Sequence, residues 1–132
     1  MESLPNFHDG FVIGLRLQDG AATIYLRQVS GVEYELLLEG LEALQVEDLR
    51  EGNIISLVDV VTGRKPDADT NFDRLFVSPH PAAAAQYHDT HALVLQRQIA
   101  RIENGEISLV VIVPSYGADL LAVCREVIFR PA

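Results

Sequence analysis

Residues Val32 to Glu39 read Val-Glu-Tyr-Glu-Leu-Leu-Leu-Glu, an alternation of apolar and acidic side chains that runs on into a further acidic tract. A period of two puts successive side chains on opposite faces of an extended chain. The segment must therefore be a strand with one dry face and one acidic, wet face, and it needs a sheet around it.

The preceding residues supply that sheet. Phe11 to Gln18 places Phe11, Ile13, Leu15 and Leu17 on one face, Asp19-Gly20 is a hairpin turn, and Ala22, Ile24 and Leu26 share a face of the return strand. Val29-Ser30-Gly31 then turns the chain into the Val32 strand, completing a three-strand antiparallel meander. Gly40 to Leu49 has mixed periodicity and reads as a crossing loop or short helical turn, with Leu41, Leu44 and Leu49 plugging the core edge. The run from Ile54 to Val61 is apolar on both faces, as expected of a strand covered on both sides, so something must pack on its second face.

Gly63 to Pro81 is polar, holds three prolines and lacks periodicity, which marks a long loop of the kind that is functional or disordered. Ala82 to Glu103 puts His88, Ala92, Leu95, Ile99 and Ile102 on one helical face, and a helix ending at Asn104-Gly105 is the preferred reading. The same Asn-Gly also fits a hairpin between 92–102 and 107–113. Ile107 to Val113 reads as a buried strand interrupted at Pro114 to Gly117; the tail begins as a helical turn over Ala118 to Val123 and ends as a strand near 125–130. The expected fold is α+β, mainly antiparallel β, with one helix around 82–103, in a single domain over 1–132.

A chain of 132 residues, 48% hydrophobic, can bury a real core without disulfides or a structural metal. One cysteine excludes an intrachain disulfide framework and fits a reducing, bacterial-type cytoplasm. No basic-then-apolar leader opens the chain and no apolar run reaches membrane-spanning length, so neither export nor membrane insertion is expected. The formal net charge of −9 is unevenly placed: seven carboxylates (Glu33, Glu35, Glu39, Glu42, Glu47, Asp48, Glu51) face the single Arg50 over residues 33–51, a net of −6. Such a segment repels a phosphate backbone and attracts a basic protein, so no nucleic-acid partner is expected.

Motifs with chemistry are sparse. Asp67, Asp69, Asn71 and Asp73 occupy the first, third, fifth and seventh positions of an EF-hand-type calcium loop, but Phe72 stands where glycine is needed and Ser78 where a bidentate glutamate is needed. A solvated acidic loop accounts for the same residues. His88 and His91, three apart on a helix, with His8 or Asp9 as a third ligand, have the residue types of an open zinc site; a hydrogen-bonded core histidine is the plainer account of His88. Cys124 lies among Leu121, Val123 and Val127 and reads as a buried, inert thiol. Ser115-Tyr116-Gly117 lacks the first glycine of a nucleophile elbow, its place taken by Val113, and neither a P-loop nor a dinucleotide fingerprint occurs.

Phe7-His8-Asp9-Gly10, Arg50-Glu51-Gly52-Asn53-Ile54-Ile55 and Ser115-Tyr116-Gly117-Ala118, with Leu120, Leu121 and Cys124 behind them, together resemble a group of small bacterial domains of unknown function. The resemblance implies no catalytic residues, but it implies that His8-Asp9 and Ser115-Tyr116-Gly117 are coupled landmarks. Three functions remain in view: a non-enzymatic, immunity-like or regulatory binding module whose acidic sheet face meets a basic protein; a metal-dependent enzyme or metal binder using His8, Asp9, His88 and His91; and a homo-oligomeric structural module. No cofactor is expected, zinc and calcium being the ions the residue types would suit.

Overall fold

The structure, a computed structural model, describes residues 4–132. Six strands run β1 (Phe11–Gln18), β2 (Ala21–Arg27), β3 (Glu33–Glu47), β4 (Asn53–Val61), β5 (Ser108–Tyr116) and β6 (Asp119–Pro131), with one helix, α1 (Ala85–Glu103), between β4 and β5. All strand pairs are antiparallel, and the order β1-β2-β3-β6-β5-β4 closes into a barrel. The N-terminal meander and the single helix are as the sequence implies.

Two cores account for the apolar pattern. Inside the barrel, Ile24, Leu26, Leu36, Leu38, Val110, Ile112, Leu120, Ala122 and Cys124 pack together with essentially no exposure. Outside it, Val61, Leu109, Leu121 and Val123 point the other way and meet Phe72 of the long loop and Ile102 of α1. This is why β4 to β6 read as near-continuous apolar runs: the inner face of that wall is dry, and its outer face is covered where Phe72 and α1 pack on it. Fully burying a side chain of this size contributes roughly 1.5–3 kcal/mol.

Several local expectations need correction, and the first two share a cause. In β1, Val12 is buried and Leu15 packs on the core while Ile13 and Leu17 are 41% and 62% exposed. The register shifts between Val12 and Gly14, so the extra residue puts Val12 rather than Phe11 and Ile13 on the face of Leu15; Leu17 keeps that face, opposite Ala22, and is exposed at the end of the strand. Gly40 to Leu49 is neither crossing loop nor helical turn through most of its length, because β3 continues to Glu47. Gly40 adopts φ +61°, where a Cβ would collide with the Arg125 side chain, and the register on β6 shifts between Leu41 and Ala43. The inward set thus changes from Leu36 and Leu38 to Leu41 and then to Leu44 and Val46, which scrambles the period. Leu49 is 54% exposed rather than a plug.

The segment Ala118 to Val123 is likewise strand, not a helical turn: β6 starts at Asp119 and alternates between the two cores. Nor does Pro114 end β5, which runs to Tyr116; the proline sits opposite Ile55, where the register with β4 shifts on both sides. The helix ends as expected at Asn104-Gly105, with the Gly105 and Glu106 N–H groups donating to the Ile102 and Arg101 carbonyls. Its inward face carries His91 in place of Ala92, with Leu95, Ile99 and Ile102.

Candidate functional site

The outward glutamates of β3 do share a surface, but its neighbours on β6 and α1 bring arginines to it. Glu35 bonds Arg130 at 2.8 Å, Glu42 takes both guanidinium nitrogens of Arg101 at 2.7 and 2.8 Å with Arg125 at 4.0 Å, Glu47 lies 3.4 Å from Arg74, and Asp48 lies 2.6 Å from Arg50. The forked bond from Arg101 holds the Glu42 carboxyl below the usual carboxylate range. Glu33 stands across from Arg27, Glu39 across from Glu126, and Glu51 is exposed in the turn before β4. Four of the seven carboxylates therefore have a cation of this chain on them.

The histidines form two separate pairs. His8 has its Nδ1 3.0 Å from the Ser56 carbonyl and its Nε2 3.6 Å from Asp9, while His91 Nε2 lies 2.8 Å from Asp73 in the long loop. His88 is half-buried on α1. Among the described residues, no three His, Cys, Asp or Glu side chains stand together as a metal-holding group. In the calcium-like loop, the Asn71 side-chain Oδ1 accepts from the Asp73 N–H and the Asp73 carboxylate is turned to His91 of α1, so two of the four candidate ligand side chains are engaged within the chain. Burial pushes the Cys124 thiol up to about 12, and its side chain is fully enclosed.

Asn53, at the start of β4, joins two other segments of the chain. This buried side chain accepts from the Arg50 and Ala118 N–H groups at 2.8 and 3.0 Å and donates to the Arg50 and Val12 carbonyls. One amide thus ties the entrance of β4 to β1 and to the β5–β6 turn. Gly117, at φ +86°, leaves the space that a Cβ would take from Asn53 Oδ1. The Asp9 N–H reaches the Ile55 carbonyl from the other side. Among the described residues, no buried side-chain nitrogen or oxygen lacks a hydrogen-bond partner.

A different surface has unused capacity. The helix and Phe72 cover the end of the β4–β5–β6 wall nearest Val61, and the rest is open as a groove of about 360 Å³. Its floor is Leu57, Val111, Val113 and Leu121, in which Leu57 and Val113 are register partners that remain 53% and 40% exposed. Asp59, Asp67, Asp69 and Asp119 line it, with Arg74 as the facing cation. Arg74 is fully engaged: its side chain, 16% exposed, bonds Asp119 at 2.8 Å, the Asp119 carbonyl at 3.0 Å and Gln45 at 2.9 Å. Arg64 bonds Asp59 at 2.9 Å. Among the described residues, Asp67 and Asp69 make no ion pair.

Sequence reasoning missed this groove because its lining comes from three strands and a loop spread over residues 57–121. The available signal was the two-sided apolar run of β4 beside an acidic loop too polar to cover all of it. Compared with family models, curated proteins and solved structures, the chain matches none.

Proposed function

We propose that this protein is a non-enzymatic binding module that captures a basic protein partner. One observation carries the reading: an exposed apolar floor lies beside two carboxylates, Asp67 and Asp69, that have no arginine partner among the described residues, next to Asp59 and Asp119, which have one. An apolar patch rimmed by unmatched charge of one sign supports association in which the charge steers encounter and the floor supplies the contact area. The net charge of −9 adds a long-range attraction for a cationic surface, screened over about 8 Å at physiological ionic strength.

The test is retention of proteins from the native host on the immobilised chain. A basic protein held at low salt, released as salt rises and rebound after purification is the expected result. If no basic protein behaves in this way, the reading fails.

A further inference from the structure

Resting on the basic-partner reading, we infer that the groove between the β4–β5–β6 wall and the 67–74 loop is the docking site, and that its occupant is an amphipathic protein segment whose lysine or arginine side chain meets Asp67 and Asp69. Neighbouring strands lie about 4.8 Å apart, so the floor from β4 to β6 spans about 10 Å. A lysine or arginine stem can lie along an apolar floor of this width while its charged head reaches a rim carboxylate. Leu57 and Val113 extend the floor as an exposed apolar pair, and apolar residues flanking the cation in a protein segment cover it.

The chain itself shows the charge match. Arg64, at the start of the same loop, places its guanidinium on Asp59, and Arg74 places its own on Asp119. Guanidinium groups thus already sit on two of the four lining carboxylates, and Asp67 and Asp69 have no such partner among the described residues. The docked segment supplies that third cation and competes with Arg64 for Asp59.

The experiment uses the full chain and a fluorescein-labelled hexapeptide of alternating valine and arginine, read by anisotropy at low salt. Asp67→Asn with Asp69→Asn should weaken binding about tenfold, which is about 1.4 kcal/mol, whereas the β3 set Glu33→Gln and Glu39→Gln should change it less than about twofold. Arg64→Ala should tighten it about threefold by freeing Asp59. Equal losses from the loop set and the β3 set would overturn the docking site, as would equal affinity for a citrulline version of the peptide or no binding by the wild type. Displacement of the peptide by an equimolar amount of spermidine would assign the groove to a small polyamine and overturn the protein occupant. Should the host partner be retained equally by wild type and by the Asp67→Asn, Asp69→Asn variant, the groove is wrong while the basic-partner reading stands.

Discussion

The outer faces of β3 and of β4–β5 carry charge in opposite ways. On β3, acids that dominate the sequence are met by Arg101, Arg125 and Arg130 arriving from α1 and β6. On β4–β5, where the local sequence is mainly apolar, the loop holds carboxylates beside an open floor with fewer cations to answer them. Summed charge along a chain gives the sign of a region. Binding capacity depends on what the fold brings opposite each charge and on whether an open apolar floor lies beside it, and here the floor lies beside the less acidic stretch.

That contrast can be broken at several points. The largest effect is expected at Ile102, fully buried where α1 covers the wall: Ile102→Ala should cost about 4 kcal/mol in urea denaturation, through the lost burial and the cavity left behind. Arg74 comes next, since it links the loop to both surfaces. Arg74→Ala removes the less exposed member of a partly exposed ion pair together with its bonds to Gln45 and the Asp119 carbonyl, and a loss of about 1.5 kcal/mol in chemical denaturation is expected.

A smaller and pH-dependent effect belongs to Glu42. Its folded-state pKa is depressed by the Arg101 bond, so its contribution is fully present above the unfolded-state value and disappears as pH falls through the folded-state value. Glu42→Gln should therefore lower the midpoint of thermal unfolding at neutral pH and flatten its decline on the acid side, with wild type and variant converging at the lowest pH. The smallest effect is expected in the open groove: Leu57→Ala, at a side chain already half exposed, should change stability by less than about 0.5 kcal/mol in the same denaturation assay. A loss comparable to that of Ile102→Ala would mean that the floor is structural rather than available.

Much of the architecture was readable because it depends on short-range pattern. The hairpin at Asp19-Gly20, the inward trio Ala22, Ile24 and Leu26, the two-faced β4 and the helix stop at Asn104-Gly105 each follow from a few adjacent residues. The failures at Ile13 and Gly40 have a common physical origin, since a one-residue irregularity leaves composition unchanged and reverses which side chains face in. Pairings such as Arg130 with Glu35, 95 residues apart, are invisible to local reasoning, and so is a groove assembled from such pairings. The β3 glutamates were correctly placed outward, but their arginine partners were beyond reach of a reading confined to the strand.

The two halves of the chain are joined unequally. β3 and β6 are matched along twelve register positions, whereas β1 and β4 meet at two, Phe11 with Ile54 and Val12 with Asn53. The closed barrel is therefore a rolled sheet with a long hem and a short latch. Because the latch fixes the ends of a 40-residue stretch of chain for few bonds of its own, it depends on the Asn53 side chain to hold β1 against the β5–β6 turn. Local opening is therefore expected first at that latch, with amide exchange faster at Phe11 and Ile54 than along the β3–β6 hem.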